Sequence, residues 1–582
     1  MKKQNWKEVI KRIWKMAAPY WTQSDEKWGS LALLAVNIAI MVLNVQVGVR
    51  FTIWNRDWMN AFNNRDIQMW QQNLWVFFIL GMSMIFTGVF NTYITGWINI
   101  RWRRWMTARY IDFWMADSNH YKMQLTGNET DNPDQRIQDD ISSFLGSTWT
   151  FSFSFVQNIY TLITYIIMLL ELSATVPLVF GSHDLSFPGY FVVIAIIWTI
   201  ITTTCTHLVG KPLARLNYNQ QMYDANFRFA LVRVRECTEQ IALLKGEDVE
   251  HTRLMGIFGD CVLNTFRTMG RNMKYGIVAQ FLAYADSFMF SFLLGPAYFY
   301  TGAISGYGVF MQLATAFQNV VNGFKWFQTN YAMLASYVAV TDRLYAFNAN
   351  YEKTKDIQEQ SAIKLTPSDI DEIDVKKLDV FLPTGHKQIS ANDLVIKHGE
   401  KVLIKGKTGA GKTTLFRVLA GIWPFGAGDV ELPKDKKVIV LPQKPYFPIG
   451  TLVEAVSYPA SPDTYSREAI QKVLVDVGMP NLVSRLDEVA HWNLMLSGGE
   501  QQRLGIARAM LYNPDYLFFD EATASMDEPS EEELYKMLLV KMKDSTIISI
   551  GHRSSLEKFH NRIITAEQQP TGSFLFVESA KV

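Results

Sequence analysis

The chain has 582 residues, enough for two or more domains that each bury a core. Its 56 Lys and Arg against 55 Asp and Glu leave a formal net charge of +1, which excludes a nucleic-acid binder that works by bulk charge. Hydrophobic residues make up 49% of the chain and gather in long apolar runs over roughly the first 340 residues, so a membrane half precedes a soluble half.

Residues 1 to 28 hold seven Lys and Arg with Trp14, Trp21 and Trp28 among them, which suits either a basic amphipathic segment on the inner membrane surface or a solvated helix capping the domain. The first apolar run is too long for a signal-peptide core and no small-residue cleavage site follows it, so it is expected to remain as a spanning helix. Six stretches are long enough to cross a bilayer, about 30 to 52, 73 to 99, 148 to 172, 189 to 210, 276 to 301 and 306 to 335. Basic residues orient them. The connection between spans 2 and 3 carries Arg101, Arg103, Arg104, Arg109, Lys122 and Arg136, and the one between spans 4 and 5 carries ten Lys and Arg from Lys211 to Lys274. The 1–2 connection has only Arg56 and Arg65, and the other two have none, which places both termini and the two long loops in the cytoplasm.

Polar residues within the spans recur at helical spacing. In the sixth, Thr315, Gln318, Asn319, Asn322, Lys325 and Thr329 share a face, while Thr150, Ser154, Gln157, Thr161 and Thr164 mark the third. The fourth shows Thr199, Thr202, Thr203 and Thr206, and the fifth Gln280, Tyr284, Ser287 and Ser291. Such stripes either line a hydrated cavity or join helices by hydrogen bonds. The cavity is favoured for the sixth span, where a lysine lies on the stripe. Asp286 is ionisable within span 5 but off its polar stripe, and either serves a function or pairs with a neighbouring helix. Cys205, Cys237 and Cys261 form no CxxC or Cys/His cluster, so neither a disulfide framework nor a zinc site is expected.

Residues 346–370 read as a polar connection separating a transmembrane domain over 1–345 from a soluble domain over 371–582. In the latter, short apolar runs at Val402 to Ile404, Lys437 to Leu441, Tyr516 to Phe519 and Thr546 to Ile550 alternate with helices, which implies an α/β domain with a largely parallel sheet. The first run leads into Gly406, Lys407, Thr408, Gly409, Ala410, Gly411, Lys412, Thr413 and Thr414, the pattern of a P-loop. Its backbone N–H groups and the helix that follows would cradle phosphates, Lys412 would reach the β- and γ-phosphates, and the Thr413 hydroxyl would serve Mg²⁺. Further along come Gln443 after a strand, the string LSGGEQQR from Leu496 to Arg503, Asp520 and Glu521 at the end of an apolar strand, and His552 closing another.

In this order, the elements resemble the ATPases of ABC transporters over most of residues 378 to 560. The resemblance implies that Asp520 holds Mg²⁺, Glu521 is the general base for the attacking water, Gln443 senses metal or water, and His552 contacts the γ-phosphate. It implies that adenine stacks on Phe381, although core packing explains a strand Phe equally well. The signature departs from the commoner LSGGQ at Glu500, and Ser525-Met526-Asp527 from the usual SALD, but Ser497, Gly498 and Gly499 keep their donors. With Glu500 they would complete the ATP site of a second copy, which implies a homodimer with two ATP molecules. In the membrane half, Asp131 to Ile137 and Glu236 to Glu250 look like strings shared by the SbmA/BacA peptide-uptake proteins, bacterial YddA-like half-transporters and peroxisomal ABCD fatty-acyl transporters. The expectation is therefore a six-span α-helical domain fused to a cytoplasmic α/β P-loop ATPase, set among the lipids of a bacterial inner membrane and moving a peptide or other hydrophilic solute inward. Export of a lipid or fatty-acyl compound, and a sensory ATPase that transports nothing, are the alternatives.

Overall fold

The computed structural model describes residues 6–125, 132–180, 183–184, 186–299, 304, 306–570 and 572–579. It divides into two compact units, Met1–Arg109 with Asp134–Tyr345, and Tyr110–Pro133 with Ala346–Val582.

The helices are, in order, α1 (Trp6–Gln23), α2 (Lys27–Asn64), α3 (Ile67–Met115), α4 (Asn119–Leu125), α5 (Ile141–Ser173), α6 (Tyr190–Glu236), α7 (Thr238–Leu244), α8 (Glu247–Phe299), α9 (Tyr307–Phe324) and α10 (Trp326–Glu359). Five helical stretches are long and apolar enough to cross a membrane: Lys27–Asn64, Ile67–Leu125, Pro133–Ser173, Tyr190–Glu236 and Glu247–Gly295. They contain the first five expected spans apart from residue 189 and residues 296–301, of which 300–301 lie outside the described residues. The helices continue well past the apolar runs: the 53 residues of α8 reach about 80 Å, against about 30 Å of hydrocarbon. The sixth expected span is not a helix of this kind. It is interrupted at Lys325, and the polar stripe of α9 dilutes its apolarity.

On α9, Leu313, Ala316, Phe317, Val320 and Val321 fall at i, i+3, i+4, i+7 and i+8 and are buried with Leu169 of α5, Tyr190 and Phe191 of α6 and Phe290 and Leu294 of α8. Thr315, Gln318, Asn319 and Asn322 occupy the other face and stay accessible. Thr315 and Asn319 donate to carbonyls of their own helix at 2.9 and 2.8 Å, and Gln318 donates to Asn322 at 3.1 Å. Much of the fourth-span stripe is satisfied in the same way. Thr199, Thr202 and Thr206 donate to carbonyls of their own helix at 2.7, 3.2 and 2.7 Å, so these hydroxyls are satisfied locally. Helix α1 combines both sequence readings. It buries Val9, Met16, Ala17 and Tyr20, the last with its hydroxyl 2.6 Å from Ser30 Oγ and its ring stacked on Trp102, while Trp6, Ile10, Trp14 and Lys7, Lys11 and Lys15 remain exposed.

Of the Asp131 to Ile137 string, Asp131 lies outside the described residues. Pro133–Gln135 is a single helical turn and Arg136–Asp140 winds as a π-helix, a form frequent at functional sites. There Arg136 donates to Asp140 at 2.7 Å, and Arg343 of α10 grips the same carboxylate through Nε at 2.9 Å and Nη2 at 2.6 Å. The string is thus tied into the helical unit through Arg136 and a buried carboxylate.

The division of the chain departs from the sequence expectation at two places. Residues 346–370 are the C-terminal half of α10 followed by strand β1 (Ala362–Ser368). Phe347, Asn350 and Thr354 are buried at helical spacing, and the two polar residues in that stripe hid its periodicity. Residues 110–133 belong to the soluble unit. Tyr110 stacks on Phe347 and Phe113 on Tyr351, while α4 sets Tyr121 under the Arg417 guanidinium, bonds Lys122 Nζ to Gln358 Oε1 at 2.8 Å, and packs Leu125 against the sheet core.

The soluble unit is built on a ten-stranded sheet. After β1 come β2 (Glu372–Phe381), β3 (Lys387–Lys397), β4 (Lys401–Lys405), β5 (Gly426–Pro433), β6 (Val438–Leu441), β7 (Tyr516–Asp520), β8 (Thr546–Ile550), β9 (Arg562–Gln568) and β10 (Phe574–Ser579), in the spatial order β1-β5-β2-β3-β10-β9-β4-β8-β7-β6. Its helices are α11 (Lys412–Leu419), α12 (Leu452–Ser457), α13 (Arg467–Asp476), α14 (Gly498–Tyr512) and α15 (Glu528–Lys541). Strands β4, β8, β7 and β6 are mutually parallel; β4, β7 and β8 are covered on both faces, which explains their unbroken apolar runs, whereas β6 ends the sheet with Val438 exposed. Val402 and Ile404 of β4 enter one core cluster and Leu403 another. Likewise Tyr516 and Phe518 of β7 part from Leu517 and Phe519.

Candidate functional site

Strand register assembles the site. Ile404 pairs with Ile550, Ile550 with Asp520, and Phe519 with Leu441, so four parallel strands end in one row. The loops leaving that edge carry the P-loop, His552, Asp520 with Glu521, and Gln443. Ligands of open α/β sheets bind at this carboxyl edge.

The P-loop turns through Gly409 at φ 84° and Gly411 at φ 81°, the latter being the N-cap of α11. A Cβ at Gly411 would stand 2.5 Å from Ile389 Cγ2, so backbone conformation and space both require glycine there. Lys412 is buried and its Nζ donates to the carbonyls of Gly406 at 2.9 Å and Lys407 at 3.1 Å, spanning the loop, with His552 Nε2 at 3.5 Å. Burial holds the Lys412 amine below its ordinary pKa, so a phosphate arriving there meets a cation short of counter-charge. Thr413 Oγ1 donates to Asp520 Oδ1 at 2.9 Å. Two hard oxygen donors side by side suit a small divalent cation that fills its shell with phosphate oxygens and water. Glu521 adopts φ 51°, a conformation uncommon for a residue with a side chain. Its carboxylate accepts from Gln443 Nε2 at 3.3 Å and lies 3.0 Å from His552 Nε2. Lys412, Thr413, Asp520, Glu521, Gln443 and His552 thus form one connected cluster.

The other expected residues lie apart from it. Phe381 ends β2, half-buried, with its carbonyl accepting from the Trp423 indole at 3.1 Å. Ser497 is the N-cap of α14, where Gly498 approaches Ser525, and none of Ser497 to Glu500 hydrogen-bonds to the six. Glu500 closes a capping box: its carboxylate accepts from Ser497 N at 2.9 Å and Ser497 Oγ at 2.8 Å. Glutamate and glutamine serve equally at that position, which accounts physically for the departure from LSGGQ.

Residues 22–299 match the family described as ABC transporter transmembrane region 2, and residues 389–524 the family described as ABC transporter. The inner membrane ABC transporter ATP-binding protein YddA of Escherichia coli (strain K12) is 32% identical over 541 residues, which cover 92% of this chain and 93% of that protein. The chain belongs to the ABC transporters. The human lysosomal cobalamin transporter ABCD4 is 27% identical over 95% of this chain and 93% of its own. A bacterial Atm1-family ABC exporter solved with ATP bound shares the fold, with a TM-score of 0.65 at 14% identity over 93% of this chain and 94% of its own. This transporter is a multi-pass membrane protein and an ATPase whose hydrolysis is coupled to transport.

Gln502 was not singled out from the sequence although it lies in the signature string. It is buried, its Nε2 donates to Gln443 O at 3.3 Å, and its Oε1 accepts from Ser525 N at 3.0 Å. It therefore ties the signature helix to the loops that carry Gln443 and Ser525, on either side of Glu521. Only the rotation of α14, which depends on packing, reveals this. Gln502→Leu leaves the Ser525 amide without its partner, at a cost of about 1–3 kcal/mol. The expected result is a lower midpoint of thermal unfolding and a reduced kcat with little change in ATP affinity; unchanged values for both would remove Gln502 from the site.

Burial, with help from the Glu521 charge, raises the Asp520 carboxyl above its ordinary pKa, while the Thr413 hydroxyl opposes the shift. Folding without nucleotide thus favours the protonated form more than an ordinary aspartate would, and that contribution to stability is lost as pH rises through the folded pKa. A cation held there would take only the carboxylate, so its binding with nucleotide would release the proton and weaken as pH falls. The MgATP-induced rise in unfolding temperature is expected to shrink on acidification at a higher pH than an ordinary aspartate would give. Asp520→Asn should abolish this dependence, and retention of it in that variant would reassign the titration.

Proposed function

We propose that two copies of this ABC transporter form a homodimer that moves a peptide or another hydrophilic solute across a bacterial inner membrane toward the ATPase side. The observation that carries the solute class is the accessible polar face of α9, opposite a face buried in its own unit. Thr315, Gln318, Asn319 and Asn322 are poor partners for lipid, so they suit a hydrated path between copies. The human relative is a cobalamin transporter, and cobalamin is a polar solute as well.

In this reading Gly406 to Thr414 hold the phosphates of ATP, Glu521 polarises the attacking water, and Gln443 and His552 orient the carboxylate. Ser497 to Glu500 of the second copy close the site, and Phe381 offers a face to adenine. Mg²⁺, held by Thr413 and Asp520 and read by Gln443, would supply charge neutralisation at the phosphates. Coupling is assigned to α4, whose Tyr121 lies under Arg417 of the P-loop helix.

The test is transport by purified protein in vesicles with the ATPase domain outward. Labelled tripeptide or cobalamin trapped in the lumen is expected to leave when MgATP is added outside. Hydrolysis that moves neither would favour a sensory ATPase, and ATP-driven accumulation of an acyl conjugate in the lumen would favour lipid export.

A further inference from the structure

Asp286 lies on α8 and Lys325 at the junction of α9 and α10, 39 residues apart in sequence, yet they meet in the fold. Lys325 Nζ donates to Asp286 Oδ2 at 2.6 Å, and the Trp198 indole of α6 donates to Asp286 Oδ1 at 2.5 Å. Three helical segments therefore converge on one carboxylate. Lys325 is also the point where the sixth span breaks between α9 and α10, and Gln328 just beyond it accepts from Thr203 of α6 at 2.9 Å. By helical step Lys325 continues the polar face of α9 from Asn322, as its C-cap. The two charged side chains are mostly covered but not sealed, at 16% and 14% accessible.

Opposite charges inside a bilayer are tolerated as long as each keeps a partner. A solute with a lone anion would take Lys325 and strand Asp286, and a lone cation would strand Lys325. A zwitterion strands neither, because its carboxylate can take Lys325 while its ammonium takes Asp286, with no change in net charge. Trp198 remains on Asp286 Oδ1 throughout and keeps that carboxylate in place.

We propose that the Asp286–Lys325 pair is the recognition element for a zwitterionic solute with free amino and carboxylate groups, a short peptide being the simplest case, admitted by exchange of ion-pair partners. This rests on the reading that a hydrophilic solute crosses here.

The test uses the full-length protein in phosphatidylcholine and phosphatidylglycerol vesicles, with ATPase stimulation and transport measured for four probes: tri-alanine, its N-acetylated form, its C-terminal amide and the doubly blocked form. Tri-alanine with free ends is expected to act at a concentration about tenfold or more below any blocked form. The neutral pair Asp286→Asn with Lys325→Met, in which the amide oxygen introduced at position 286 still accepts from the Trp198 indole, is expected to lose this preference while ATP binding and the unfolding temperature stay close to the parent's. Equal action of free and blocked peptides, or a preference that survives in the neutral pair, overturns the proposal and leaves hydrophilic transport standing. Failure of all four probes to stimulate or to move overturns the proposal, and the hydrophilic reading falls with it only if cobalamin is not moved either.

Discussion

Glu521→Gln is expected to lower ATPase turnover by about 10²- to 10⁴-fold while ATP binding persists. The carboxylate is the acceptor in the cluster that Gln443 and His552 approach, at 3.3 and 3.0 Å. An amide keeps the size and one acceptor oxygen but loses the basicity needed to take a proton from water. The phosphate cradle belongs to other residues, Lys412 and the glycine turns, so its geometry is left alone. Glu521 holds φ 51°, and Gln meets the same steric demand as Glu there, so the backbone supplies no separate reason for loss. The variant should trap ATP and with it the closed dimer, visible as an ATP-dependent shift in hydrodynamic radius of the isolated protein. Turnover within about tenfold of the parent would end the assignment of Glu521 as the base.

Lys412→Met is expected to weaken ATP binding by about 10²-fold or more, since each hydrogen bond to a charged group contributes about 1.5–3 kcal/mol. The methionine fills the buried stem volume but removes the cation and its bonds to Gly406 O and Lys407 O. Because burial already disfavours the charged amine, stability without nucleotide should change little. Calorimetric titration with ATP and a thermal unfolding scan separate the two effects. ATP affinity within about threefold of the parent would mean that Lys412 braces the loop and does not grip phosphate.

Much of the nucleotide site was legible because its parts are local. A buried parallel strand reads as an unbroken apolar run, and the runs at Val402 and Tyr516 were visible before any fold was known. A phosphate turn needs glycine where φ is positive, and those glycines stand in the string itself. Helical periodicity likewise exposed the polar face of α9, since Leu313, Ala316, Phe317, Val320 and Val321 alternate with it at 3.6-residue spacing. The same rule failed over 346–370. There a helix buries Asn350 and Thr354 along with Phe347, so apolarity no longer marked the inner face.

What the sequence alone determined is what contiguous strings carry: a glycine-rich P-loop, an Asp-Glu pair ending an apolar strand, a signature helix start, and apolar runs long enough for lipid. What only the tertiary structure decided is which distant residues meet. Gln502 reaches both Gln443 and Ser525 because of how α14 is rotated, and residues 110–133 join the soluble unit because Tyr121, Lys122 and Leu125 find partners there. Lys325 meets Asp286 because α9 and α8 pack around Phe290 and Phe317. The physical reason is common to all three: spacing along a chain specifies a face of a helix or strand, while the neighbour of that face is chosen by packing across the core.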